Sequence, residues 1–187
     1  MEPVRTPNTI DTARPYAVRT TDNAKPAAAK VAVAPKVAAA LQDAEHREAR
    51  AAYSEIAADA ADVLDLAASL AETIAGLDVL DTTPAAAIEF ASKLGQKIVD
   101  LGNAQLKEVT GQKAYTSPRA VTIQQQEASN SQAVLALGTD LAMKVVTFNL
   151  APTRPSAASV LQTCSATVQK LLALGTAQAA RALSMRK

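Results

Sequence analysis

The chain has 187 residues, 49% of them apolar, with 19 basic side chains against 18 acidic ones. Forty-three residues are alanine, 3% are aromatic and tryptophan is absent, so the large side chains that fill a dense core are scarce. The length fits one domain plus a tail, and a single cysteine, Cys164, excludes a disulfide framework within one chain and suits a reducing compartment.

Proline placement divides the chain. Five of the nine prolines fall at 3, 7, 15, 26 and 35; the others, at 84, 118, 152 and 155, leave proline-free intervals of 36–83, 85–117, 119–151 and 156–187. Proline costs about 3 kcal/mol in a helix interior and is tolerated in the first turn. The intervals are rich in Ala, Leu, Gln and Lys and predict helices at about 43–80, 85–110, 119–150 and 156–185. Residues 1–35 show no helical period and little to bury, and are expected to be a disordered low-complexity arm ahead of a helical region over 36–187. The opening MEPVRTPNTIDTARPY has no continuous apolar stretch, so a secretory signal is not expected.

In the first helix Ala49, Tyr53, Ile56, Ala60, Val63, Ala67, Leu70, Ile74 and Leu77 recur at alternating steps of four and three, a heptad seam. Asp59, Asp62 and Asp65 lie off it and are expected on a solvated acidic face. Thr83-Pro84 offers a capping hydroxyl and a first-turn proline for the second helix, where Ile88, Ala91, Leu94, Ile98 and Leu101 share a face. Gly95 and Gly102, seven apart, mark either a close helix approach or simple tolerance. Ser117-Pro118 repeats the start signal for a third helix, which begins polar (QQQEASNSQ, 124–132) and then carries Val134, Leu137, Leu141, Val145 and Phe148, flanked by Leu135, Ala142 and Val146. Its apolar window, Val134 to Ala151, contains Asp140 and Lys144 and is marginally short for a bilayer, so no transmembrane segment is expected. Ser156 is placed to cap the fourth helix, whose stripe is Leu161, Cys164, Val168, Leu171, Gly175 and Ala182.

These segments predict an all-α fold, an elongated three- to four-helix bundle. Its seams are thinned by alanine, so it should be marginal alone or completed by a second chain or an apolar surface. The stripe residues Ile56, Val63, Leu70, Ile74, Leu77, Leu137, Leu141, Val145, Phe148, Leu161, Val168 and Leu171 are the candidate interaction surface. Charge is uneven along the chain: +3 over 1–36, −9 over 37–89 and +7 over 90–187. Solvated helix faces of differing sign are the simplest reading, and packing of the acidic block on the basic ones or head-to-tail association is the alternative.

No reaction is legible. There is no GxxxxGK[ST], GxGxxG or GxSxG, His46 is the lone histidine on a polar stretch, and Cys164 sits on an apolar stripe as a small core residue. One His and one Cys cannot assemble a zinc site without a second subunit, so no metal, cofactor or enzyme activity is expected. Dispersed lysines and arginines without interleaved aromatics do not predict nucleic-acid binding. The segments EFASKLGQKIVDLGNAQLKEV (89–109) and ASVLQTCSATVQKLLALGTAQAARAL (158–183) have an Ala, Gln, Lys and Leu texture that resembles the phasins, bacterial proteins coating polyhydroxyalkanoate granules. Lys and Glu are sparser than in phasin helices, and the proline-interrupted 110–120 region departs from their pattern. The resemblance implies a non-enzymatic, cytoplasmic amphiphile with a hydrophobic polymer or granule surface as its partner. Two other readings fit the helices: a protein-interaction module such as a bacterial effector with an N-terminal export signal, and a structural coiled-coil homo-oligomer.

Overall fold

The structure, a computed structural model, describes residues 35–185, with side chains from residue 39 onward. The expected arm over 1–35 lies outside the described residues except for Pro35, which opens the first helix. Among the described residues the fold is all-α: α1 (Pro35–Ala75), α2 (Pro84–Gly111), α3 (Pro118–Leu150) and α4 (Ala157–Met185), with no strand.

The boundaries follow from local chemistry. The Thr83 hydroxyl accepts from the Ala86 N–H at 3.2 Å and the Ser117 hydroxyl accepts from the Ala120 N–H at 3.2 Å, each just ahead of a proline at the first helical position. Ser156 caps α4 in the same way, accepting from the Ser159 N–H at 3.2 Å. α1 differs from expectation at both ends. It starts at Pro35 rather than near 43, because the run KVAAALQDAE contains nothing that breaks a helix once proline has set the first turn. It stops at Ala75 rather than 80, because turn chemistry takes over beyond Gly76: the Asp78 carboxylate accepts from the Leu80 N–H at 2.9 Å and the Thr82 hydroxyl donates to the Asp78 carbonyl at 2.6 Å.

Successive helices run antiparallel, but sequence neighbours are not all spatial neighbours. The extensive pairings are α2 with α3 and α1 with α4; α1 also packs along α3 and α2 along α4, while α1 and α2 barely touch. The two tight pairs are built on glycine. A Cβ on Gly102 would lie 2.7 Å from the Leu135 backbone nitrogen, and one on Gly138 would lie 2.8 Å from that of Val99. At the α1–α4 contact a Cβ on Gly175 would come within 3.0 Å of Val63 and Leu64. Close approach, not tolerance, is therefore the role of Gly102. Alanines complete these seams: Ala49, Ala52, Ala60, Ala67, Ala87, Ala91, Ala120, Ala157 and Ala182 are all buried. Where helix backbones come this near, a single methyl fills the gap that a leucine fills elsewhere.

α1 and α3 are tied at the end of the bundle that holds the α2–α3 turn. The Glu48 carboxylate accepts from the backbone N–H groups of Thr116 and Ser117 at 3.0 and 2.9 Å and from the Thr116 hydroxyl at 2.8 Å. It thereby sits at the N-terminus of α3, and these bonds hold its pKa below the ordinary glutamate value. The acidic and basic blocks are not held together by ion pairs between helices among the described residues; the two salt bridges, Lys93–Glu89 and Lys144–Asp140, are exposed and lie within single helices, the first only bridging the block boundary within α2.

The glycine contacts give the first prediction. Gly102→Ala should lower the unfolding free energy by about 1–3 kcal/mol, since its methyl would meet backbone rather than a movable side chain. Gly111→Ala, with nothing within 4 Å of the added methyl, should be neutral or stabilising by about 0.5 kcal/mol. Urea unfolding followed by far-UV circular dichroism distinguishes the two.

Candidate functional site

The twelve stripe residues expected to face a partner are turned inward. Ile56, Val63, Leu70, Leu141, Val145, Leu161, Val168 and Leu171 are buried, and Ile74, Leu77, Leu137 and Phe148 are half-buried against the same core. The heptad seam of α1 is occupied by α4 and α3 of its own chain. In the closed bundle these residues offer little outward surface, because short connections let each stripe find its counterpart within one chain.

The core they form is divided. A large cluster takes in Val63, Leu70, Leu94, Ile98, Val134, Leu141, Val160 and Leu171; a small one, at the end with the α2–α3 turn, holds Ala49, Ala52, Ile56, Ile123 and Ala182. Between them lies a polar layer to which every helix contributes: Asp59 from α1, Gln105 from α2, Glu127 and Asn130 from α3, and Gln178 from α4, all buried. Gln105 is satisfied, its amide donating to the Asp59 carbonyl at 3.0 Å, and Asn130 accepts from the Gln126 amide at 3.0 Å. Asp59 Oδ2, Glu127 Oε2 and both amide atoms of Gln178 have no hydrogen-bond partner in the protein.

Asp59 thus departs from the solvated face expected for it, whereas Asp62 and Asp65 are exposed. A second helix packing on the flank of the α1 seam carries position 59 inside. Desolvation pushes the Asp59 carboxyl up to about 6, helped by the negative charges of Glu108, Asp62 and Glu55. Glu127 rises to about 7, again first by desolvation and then by Asp59, Glu55 and Glu108; the neighbouring Gln112 amide offsets a small part without reaching good hydrogen-bond geometry. Tyr115, donating to Glu55 at 2.8 Å, is likewise raised by burial and by that hydrogen bond. Every charge acting on Asp59 and Glu127 is negative.

Elsewhere the chemistry is sparse. Cys164 is fully buried, and desolvation lifts its thiol to about 11, far from a reactive thiolate. Among the described residues no group of three or more His, Cys, Asp or Glu is disposed to hold a metal ion. An open groove of about 860 Å³ lies beside the α1–α4 seam, lined by His46, Arg50, Tyr53, Arg119 and Leu183 over a floor of alanines. Its Arg119 is already engaged: Nε and Nη2 donate to the Tyr53 hydroxyl at 3.1 and 2.8 Å, Nη2 also donates to the Met185 carbonyl at 2.8 Å, and the Tyr53 hydroxyl donates to that same carbonyl.

The outer surface has its own pattern. Of the exposed large apolar side chains, Val79, Leu80, Met143, Val146 and Leu150 all lie towards the end of the bundle that carries the α1–α2 and α3–α4 connections. α3 is long and apolar enough to cross a membrane by length and composition, a test that core helices of soluble proteins also pass, yet only 22% of its most apolar 18-residue stretch is buried here. No protein-family model, curated protein or solved structure matches the chain.

The polar layer makes stability depend on pH in a defined direction. The folded state holds the Asp59 and Glu127 protons more tightly than the unfolded chain, whose carboxyls titrate near 4. Stability should therefore be greatest below about pH 4 as far as this pair is concerned, fall as pH rises through about 4 to 7, and level off above. The total change is on the order of a few kcal/mol, and Glu127→Gln should remove a large share of it. Urea midpoints measured across this pH range are the check.

Proposed function

We propose that the protein is a non-enzymatic amphiphile that settles on a hydrophobic surface, as a phasin does on a polyester granule, with the outer flank of α3 as the face that meets it. One observation carries this reading: the most apolar stretch of the chain is left largely uncovered, with only 22% of it buried. Met143 is 63% exposed and Leu150 78% exposed, with Val146 between them one turn from each, and the neighbouring connection adds Leu80, 94% exposed. Residues at i, i+3 and i+7 lie along one side of a helix, so these three make a continuous stripe. A contiguous exposed apolar face on a small bundle is a binding surface or an aggregation liability. The Asp140–Lys144 pair sits beside it and keeps the adjoining face in water.

The phasin-like texture of 89–109 and 158–183 names the chemical class of surface, a polyester rather than a phospholipid. The buried stripes then serve to hold the bundle together while the α3 flank adsorbs. Purified protein mixed with washed polyhydroxyalkanoate granules should leave the supernatant, and the double variant Met143→Lys, Val146→Lys should bind about 10-fold or more weakly, since each charge would have to be desolvated. Equal adsorption of the variant, or wild-type protein staying in solution with the granules, would reject this reading. Anionic phospholipid vesicles in a parallel sample separate a polyester preference from general affinity for apolar interfaces.

A further inference from the structure

We infer that the polar layer is a proton-operated latch: with Asp59 and Glu127 protonated the end of the bundle holding the α2–α3 turn is closed, and with both ionised its helix ends part while the large cluster stays packed. The geometry that carries this is the division of the core. Seventeen buried residues hold the large cluster, but only five hold the small one, three of them alanines (Ala49, Ala52, Ala182) beside Ile56 and Ile123. Between these clusters lie the polar layer and small side chains such as Ala60 and Ser131, with no large apolar residue to bridge them, so the closing end draws little on the larger core.

Protonated and ionised carboxyls behave differently in that position. A neutral carboxyl can donate a hydrogen bond, and the Gln178 amide, buried on α4 at the level of Asp59, is an unpartnered acceptor and donor. An ionised pair finds no cation among the described residues: α1 presents Glu55 and Asp62 beside Asp59, α2 presents Glu108 and, at its C-cap, the Gln112 amide, α3 presents Glu127 itself, and α4 presents only Gln178. Two buried carboxylates facing each other across α1 and α3 repel in a poorly solvated space, and separating those helices admits water to both. The remaining ties at this end are rim hydrogen bonds, from Arg119 and Tyr53 to Met185, from Tyr115 to Glu55, and from α3 to Glu48, which water can replace at modest cost. The raised carboxyl pKa values put the change near neutrality, where a cell's own pH range can work it. The latch is a property of the free protein and does not rest on adsorption.

Hydrogen exchange on the full chain between about pH 5 and pH 8, corrected for the chemical rate, tests it with no surface present. Amides over 49–60, 119–131 and 176–185 should lose protection by roughly 10-fold or more across this range and approach the unprotected rate by about pH 8, while those over 87–98, 134–145 and 160–171 stay strongly protected there. The double variant Asp59→Asn, Glu127→Gln should show at about pH 8 the protection that the wild type shows at about pH 5. If the double variant fails to fold, Glu127→Gln alone serves, and the wild-type series is decisive by itself. Equal remaining protection in both halves of the bundle at about pH 8 would reduce the effect to global stability and overturn the latch. So would protection independent of pH, or a folded variant that opens as the wild type does.

Discussion

Close approach of helix backbones is the constraint on which this bundle depends. An alanine stripe gains little from burial unless the opposing surface comes within reach of a single methyl, and only positions without a Cβ allow that distance. Gly102 and Gly138 make it possible between α2 and α3, and Gly175 between α1 and α4. The fold is accordingly two tight antiparallel pairs laid together rather than four equivalent helices. The resulting core is private: stripes that look from the sequence like an offer to a partner are used up within the chain, and of the large apolar side chains left outside among the described residues the only run along one helix is Met143, Val146 and Leu150 on α3.

The same narrowness sharpens the effect of the polar layer. In a wide core, one buried carboxylate can lean towards water through a gap between large side chains. Here the helices are too near for that, and the acids of α1 and α3 share their space with amides from α2 and α4. Buried polar groups commonly fix register and partner choice at a cost in stability. Asp59, Gln105, Glu127 and Gln178 lie on four different helices at one level, so sliding any helix by a turn would set a polar group against the apolar clusters.

The all-α architecture and the starts of α2, α3 and α4 were legible because they rest on local rules, whereas both ends of α1 were not. Thr83-Pro84 and Ser117-Pro118 carry cap and first-turn proline in adjacent residues, and their helices start where that chemistry places them. Which face of each stripe would be covered was not legible, since that depends on contacts distant in sequence. The polar layer had a readable signal that apolar bias obscured. Ile123, Glu127, Asn130 and Val134 keep the steps of four and three, as do Ile98, Gly102, Gln105 and Val109, and also Leu171, Gly175, Gln178 and Ala182. In each run a polar residue occupies a seam position, and a reading that follows only Leu, Ile, Val and Ala steps over it. Asp59 is harder, one place off the seam at Ala60 and inside because helices distant in sequence widen the buried face of α1, with Gln105 of α2 reaching its carbonyl.

The tyrosines described by the structure, Tyr53 and Tyr115, both belong to the small cluster's end, and the chain has no tryptophan. Tyrosine emission from the described residues is therefore local in origin: Tyr53 stands under the Arg119 guanidinium, 5.6 Å from its ring centre, and Tyr115 hydrogen-bonds the Glu55 carboxylate, a contact that quenches phenol fluorescence. Among the described residues the tyrosines label one end of the bundle, so their fluorescence and the helical circular dichroism describe different parts of it.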